Sequence, residues 1–576
     1  MSLERLRTDI LILGSGGAGL FAALHALKAN PDLDVTIASK GLLGKCGCTR
    51  MVQGGYNVAL NPGDSVERHF MDTIEGGKWL PHQELAWTLV STAVERVREL
   101  ENEIGCFFDR NPDGTLHGKA FAGQSFDRTV HKGDLTGIEI INRLMEQVWA
   151  RPIRRLEEHR AVALIPAQDG ALAGVLMIDI RTGALRFVTA QAVLLATGGG
   201  PTMYRYHTPS GDKSMDGLAM ALRAGLRLRD MEMVQFHPTG LLAGADTRMT
   251  GTVLEEGLRG AGGHLLNGAM HRFMGDYDDK LERATRDLAS RAIYSEMKAG
   301  RTTPHGGVYI KMSHLGPAKV AKEFKGMVER CRDCGFDLAG GLVEVVPTAH
   351  YFMGGVICRP DTSTDWPGLF VAGEDASGMH GANRLGGNGV ANSTVFGGIA
   401  GDEMPRFIGA DPGYREPDEH VLDAELQRAL LPFGRKGGNL NDLRERLLAV
   451  MWDEVGLVRD RAGLDRAIAA LDSIEAELLA TGVADAGRAF NLTWQDWLNL
   501  RSLTEVSRVI ALAARKRENS RGAHFRSDFP GQGDLPSSRF TVARQTAGGL
   551  EITDEPVRFT HVKPGETLLP DKFAAE

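Results

Sequence analysis

The first residues suited to chemistry are glycines. Gly14-Ser15-Gly16-Gly17-Ala18-Gly19 fits G-x-G-x-x-G, directly after the apolar run Asp9-Ile-Leu-Ile-Leu13 and before a helical pattern over 20–29. The amides of such a turn, backed by a helix N-terminus, can receive a pyrophosphate, although tight strand–helix packing uses the same glycines. The next strand, 34–38, ends in Ser39-Lys40 rather than in the acidic residue that usually holds a ribose hydroxyl, which argues against a generic nicotinamide site. Other reactive residue types are ambiguous alone. Glu255, Glu256 and Arg259 have the spacing of ordinary helix pairs, and His237 before a proline could cap a turn. Cys331-Arg-Asp-Cys334 is a lone C-x-x-C with no second ligand pair, so no metal site is expected. His314 and His524 receive no role.

The elements that must position these residues recur along the chain. Ala192-Val-Leu-Leu-Ala196 runs into Thr197-Gly-Gly-Gly200, and Gly368-Leu-Phe-Val-Ala-Gly373 is an apolar strand bounded by glycines. Three strand-then-glycine units far apart predict one α/β domain assembled from separated segments, with an insertion over 241–354. Residues 409–419 read as a linker, 421–515 as amphipathic helices, and the tail from Arg526 as short strands or an extended arm. Glycine makes up 71 of 576 residues, roughly 12% against a usual value of about 7%. The excess sits in short clusters between apolar runs, which excludes collagen and linker compositions. A net charge of −8 argues against a nucleic-acid partner. Six cysteines are too few for a disulfide framework, and no apolar run reaches the length of a membrane span. The expectation is a cytoplasmic protein without direct membrane insertion, with any membrane association made through partner subunits.

Gly47-Cys48-Thr49-Arg50-Met51-Val52-Gln53-Gly54-Gly55, taken with the glycine fingerprint, resembles the flavoprotein subunits of succinate dehydrogenase and fumarate reductase, a family that includes L-aspartate oxidase. The match continues in order through Phe121-Ala-Gly-Gln124-Ser, Arg128-Thr129, Asp134-Leu-Thr136-Gly137, the 196–199 block and Asp216-Gly217. It goes on through Phe236-His237-Pro-Thr-Gly240, Glu256-Gly-Leu-Arg259, Arg286-Asp287, the 347–355 run ending in Gly354-Gly355, His380-Gly-Ala-Asn-Arg384 and Ser520-Arg-Gly-Ala-His524. The resemblance implies an α/β fold: a Rossmann-like FAD-binding domain (1–240 and 355–408), an inserted α+β capping domain (241–354), a C-terminal helical bundle (420–525) and a tail (526–576). It implies FAD held by Gly14, Ser15, Gly16, Gly17, Ala18, Gly19, Ser39, Lys40, Cys48, Thr49, Gln53, Gly54, Gly55, Thr197, Gly198, Gly199, Asp216, Glu374, Arg384 and Asn388. His237, His350 and Arg384 would hold a small carboxylate substrate beside Glu255, Phe121 and Gln124, since guanidinium forks and imidazoles match carboxylate geometry. Arg286 would move the proton, with Glu256 and Arg259 as its relay, while hydride passes between flavin N5 and a carbon next to a carboxylate. The alternatives are an L-aspartate-oxidase-like oxidation of an amino dicarboxylate, or a non-catalytic flavin scaffold. A separate iron-sulfur or other electron-transfer subunit is the expected partner.

The chain departs from the family at three places. Where the family attaches FAD through a histidine, it has Cys48, so non-covalent FAD is expected, with a bond to the thiol as the alternative. Where the family has a substrate-binding threonine, it has Glu255; a carboxylate there repels a substrate carboxylate unless protonated or paired, which suggests a substrate other than plain succinate. Gly387 and Gly389 stand at two serine positions, removing hydroxyls near the flavin and adding backbone freedom.

Overall fold

The computed structural model describes residues 3–244 and 247–570; the end of the expected tail, 571–576, lies outside the described residues. The core is a seven-stranded sheet. Strand Glu4–Leu13 pairs in parallel with Val35–Ser39 on one side and Leu185–Leu195 on the other; Arg154–Glu157 extends the first edge and Leu369–Val371 joins Leu185–Leu195, both in parallel. Leu172–Asp179 and His159–Pro166 complete the sheet as antiparallel strands. Ile10 to Leu13 are buried without alternation, as expected of a parallel strand covered on both faces. Helix Gly17–Ala29 follows the first strand, and helix Asn388–Ala410 packs against it.

The inserted segment builds a second, antiparallel sheet together with the strand that leads into it, in the order Val234–Leu241, Leu342–Phe352, Val308–Lys311, His264–Leu266. Leu254, Phe273, Ile293, Met312 and Val343 belong to an apolar cluster separate from that of the large sheet. A body with its own core can shift against its neighbour without unpacking either.

The C-terminal region contributes helices Glu419–Leu430, Leu440–Asp453, Arg461–Ala480 and Leu492–Lys516. These helices share one apolar core with the large sheet, through Trp494 and Trp497 among others. Both indole N–H groups donate to backbone carbonyls, Trp494 to Ala429 at 2.9 Å and Trp497 to Leu478 at 3.0 Å, so these large side chains are buried without an unpaired donor. The tail forms a hairpin of Arg539–Thr546 and Gly549–Pro556 that extends a small sheet with Leu228–Arg229 and Gly355–Val356.

Candidate active site

At the end of strand Glu4–Leu13 the backbone packs so closely that side chains are excluded. A Cβ on Gly14 would lie 2.1 Å from the Ala196 carbonyl oxygen, and one on Gly19 2.0 Å from the Gly14 carbonyl oxygen. These two glycines let strand, turn and helix close on one another. Gly16 differs: a Cβ there would meet only Thr49 Oγ1 at 3.5 Å, because its α-carbon faces a cavity of about 370 Å³. Gly17, Ala18, Cys48, Thr49, Gln53 to Gly55, Thr197, Gly198 and Glu374 line the same cavity. A smaller pocket of about 70 Å³ contains Gly14, Ser15, Ser39, Lys40 and Asp216, and the two share Ala196, Thr197, Gly198 and Lys213. Together they trace a path from the end of the second strand, past the fingerprint, to the inserted sheet, which is the extent a dinucleotide requires.

The polar groups fit that reading. Asp216 accepts from Lys40 at 3.1 Å and from Arg160 at 2.6 Å; from helix Leu492–Lys516, Ser502 donates to Asp216 at 3.1 Å and Asn499 Oδ1 accepts from Lys40 at 3.3 Å. Thr49 Oγ1 accepts from Gly17 N at 3.0 Å and so ties the Cys48 loop to the fingerprint. Burial pushes Glu374 up to about 7, although its carboxylate accepts from Phe352 N at 2.8 Å. Burial, reinforced by Glu374, pushes the Cys48 thiol up to about 12. Two expected cofactor residues stand aside. Gly199 is closed off by Glu374, whose Oε1 would lie 2.6 Å from a Cβ there. Asn388 spends its amide on Asn57, His69 and Thr73.

At the cap end, adjacent strands place two imidazoles side by side. His237 lies on Val234–Leu241 and His350 on Leu342–Phe352, with ring centroids 5.3 Å apart. Burial, together with Arg286 and other cations, holds both well below the usual histidine pKa, so both are neutral. Nδ1 of His237 accepts from Thr239 N at 3.3 Å, which leaves the proton on Nε2 as a donor for a ligand. Nδ1 of His350 engages Thr208 Oγ1 at 2.9 Å. Arg384, 6% exposed, lies over the Tyr351 ring and donates from Nη1 to Leu385 O at 3.2 Å. Its Nε has no partner in the protein, so a buried guanidinium faces the cavity with donors to spare.

Arg286, 7% exposed, starts helix Arg286–Lys298 and donates to Glu256 Oε2 from Nη2 at 2.5 Å and from Nε at 3.0 Å, and to Gln235 Oε1 at 3.0 Å. Glu256 Oε1 accepts from Arg259 at 3.1 Å. Burial raises the Glu256 carboxyl, but Arg286 and Arg259 outweigh it and hold the group below its ordinary range. The result is a continuous buried chain, Arg286 to Glu256 to Arg259, with Arg286 opening into the cavity.

Glu255 also lines the cavity, 3% exposed, and it is paired: Lys119 Nζ donates to its Oε1 at 3.2 Å. The repulsion expected of a bare carboxylate is therefore offset by an ammonium, although burial still raises the Glu255 pKa. Phe121 lines the cavity and fills the space above Gly54; Gln124 instead donates to Asn57 and Gly386 behind it. Gly387 has φ +86°, and a Cβ there would lie 2.1 Å from Asn57 Oδ1, so glycine meets a space requirement at this position rather than adding freedom. Sequence reasoning did not single out Gln235, Lys119, Arg330 or Lys213. Only Gln235 carried a signal, since it lies two residues before His237 on a strand and so shares its face. Arg330, from helix Lys325–Asp333, lines the cavity and donates to Val253 O at 2.8 Å.

Comparison with known proteins agrees with this geometry. Residues 9–390 match the family described as FAD binding domain, and residues 444–569 match the fumarate reductase flavoprotein C-terminal region. The chain belongs to the succinate dehydrogenase and fumarate reductase flavoprotein family. It is 39% identical to one of the subunits of the fumarate reductase (CoM/CoB) of Methanothermobacter marburgensis, covering 92% of this chain and 96% of that one. It is 34% identical to the fumarate reductase flavoprotein subunit of Mycobacterium tuberculosis, covering 97% and 99%. The solved quinol fumarate reductase of Escherichia coli superposes with a TM-score of 0.92 at 32% identity, covering 98% and 99%. As a member of this flavoprotein family the chain is an FAD-dependent oxidoreductase, with the α/β cofactor domain and C-terminal helical region expected from its sequence. Among the described residues no helix is long and apolar enough to cross a membrane.

Proposed function

We propose that this flavoprotein interconverts a small dicarboxylate of the succinate and fumarate type with its two-electron oxidised or reduced partner. The observation that carries this reading is the convergence on one cavity of two neutral imidazoles, a buried guanidinium with donors to spare and the Arg286–Glu256–Arg259 chain. FAD bound along the cavity supplies hydride exchange at flavin N5. His237 and His350 donate to substrate carboxylate oxygens, and Arg384 adds a charge-assisted donor that is strong because water is excluded. Arg286 gives a proton to, or takes one from, the carbon next to a carboxylate, and Glu256 holds its guanidinium in position and passes charge to Arg259. A binding scaffold has no use for such a chain. The pairing of Glu255 with Lys119 admits a carboxylate at that end, and Arg330 supplies a further cation there.

FAD is held without a covalent bond in this reading. The thiolate is the nucleophilic form of cysteine, and a Cys48 thiol pushed up to about 12 stays protonated. The domains divide at 1–240 with 355–408, 241–354 and 420–525, consistent with the separate core of the middle segment. Several relatives are named as subunits, and the electron carrier is read as a separate iron-sulfur subunit. The deciding experiment is anaerobic titration of the oxidised protein with succinate and L-aspartate, and of the reduced protein with fumarate, following flavin absorbance. Bleaching by succinate or reoxidation by fumarate is expected; a response to L-aspartate alone would replace this reading with that of an amino-acid oxidase.

A further inference from the structure

Lys213 belongs to none of the residues that identify the fold. It lies in the turn before helix Asp216–Arg223, yet its side chain lines both the larger cavity and the smaller pocket, at the junction where Thr197 and Gly198 also face both. Its Nζ donates to the Thr197 carbonyl at 3.1 Å, and a Cβ on either Gly47 or Gly198 would lie 3.7 Å from that Nζ. Two glycine segments therefore leave the ammonium uncovered toward the cavity.

An ammonium has three donors, and the Thr197 carbonyl takes one. The nearby carboxylates are engaged elsewhere: Asp375 accepts from the amides of Thr197 and Gly198, Glu374 from Phe352 N, and Asp212 from the Ser210 hydroxyl. On the same walls lie Gly14 and Ser15 in the pocket and Gly16 to Ala18 in the cavity, the turn whose amides receive a pyrophosphate. We propose that Lys213 is the phosphate-binding cation of the FAD site, pairing through its free donors with the pyrophosphate that crosses from the pocket into the cavity. The proposal rests on the non-covalent reading of FAD: with Cys48 protonated, charge pairing takes on the retention of a cofactor that no bond fixes.

The test uses the full chain stripped of FAD, with binding followed by quenching of flavin fluorescence. Losing one charge-assisted pair to a phosphate in Lys213→Met should weaken FAD roughly 10- to 100-fold, with Lys213→Arg recovering most of it. Riboflavin, which has no phosphate, should bind both variants as it binds the unmodified protein. Far-UV circular dichroism of each stripped variant checks the fold, and Lys213→Gln provides a second neutral replacement. An FAD dissociation constant within about twofold of the original in both neutral variants, or an equal loss for FAD and riboflavin, overturns the proposal. Denaturing the unmodified holoprotein separates the two readings. Flavin released with an unchanged affinity in the variants sinks the Lys213 assignment alone, whereas flavin retained on the polypeptide sinks the non-covalent reading and the proposal with it.

Discussion

The two ends of the cavity are built on different principles. The dinucleotide end is made of backbone: Gly14 and Gly19 set the distances among strand, turn and helix, Gly16 faces the cavity, and Lys40 and Asp216 are paired with one another while Lys213 keeps donors free. The substrate end is made of side chains: imidazoles, guanidinium groups and carboxylates from the inserted sheet, its helices and the 384–387 loop. The first is rigid because close-packed backbone has one arrangement. The second is held by charged hydrogen bonds, the Arg286–Glu256–Arg259 chain within the inserted segment and Lys119 to Glu255 reaching it from outside, so it answers to single charges.

The largest effect expected from this contrast is at Arg286. Arg286→Lys keeps the charge but loses the fork that grips Glu256 and the bond to Gln235, so turnover should fall roughly 10²- to 10⁴-fold, the usual worth of a positioned proton donor. The FAD content, read from absorbance, should be unchanged. Loss of FAD together with activity would break the division between the two ends.

Next in size is the converse test. Gly19→Ala places a methyl about where the Gly14 carbonyl oxygen lies, and overpacking of this kind costs about 1–3 kcal/mol. The melting temperature and FAD occupancy should both drop, while each remaining loaded molecule should keep its KM for substrate. A KM that rises with full occupancy would mean that the fingerprint also shapes the substrate end.

This contrast explains what could be read from the chain. The cradle was legible because its determinants are local: a six-residue pattern between an apolar run and a helical period fixes strand, turn and helix together. His237, Glu256, Arg286, His350 and Arg384 come from five separate segments spread over nearly 150 residues, and only the resemblance brought them into one site. Lys119 and Arg330 could not be found, since contacts to Glu255 and to the Val253 carbonyl, far away in sequence, leave no periodicity. The helical region was read correctly as helices, but its shared core with the sheet depends on Trp494 and Trp497 meeting other elements, which periodicity does not reveal. Gly199 and Asn388 show the limit of motif matching: Gly199 lies within a matched block and Asn388 between the departures at 387 and 389, and each faces packing rather than the cavity.

A third prediction concerns charge at the dinucleotide end. The Glu374 carboxyl is raised to about 7 by burial, so in the FAD-free protein the folded state holds a proton that the unfolded chain gives up near its ordinary carboxylate pKa. Stability from this group is present at low pH and is lost as pH rises from the ordinary carboxylate range to about 7, by roughly 3–4 kcal/mol. Thermal melts of the stripped protein between these limits should show the decline, and Glu374→Gln should flatten it. An unchanged slope in the variant would place the titration elsewhere.

The smallest effect separates a paired charge from a bare one at the substrate end. Lys119 is partly exposed while Glu255 is buried, so Lys119→Met removes the exposed partner and leaves the carboxylate on the cavity wall without its ammonium. The KM for a dicarboxylate should rise about tenfold, roughly 1.4 kcal/mol, with kcat little changed because the proton chain is untouched. Adding Glu255→Thr to that variant removes the uncompensated charge and should bring KM back. A double variant no better than the single one would show that Lys119 acts on the substrate directly, and that Glu255 serves to hold the lysine rather than being neutralised by it.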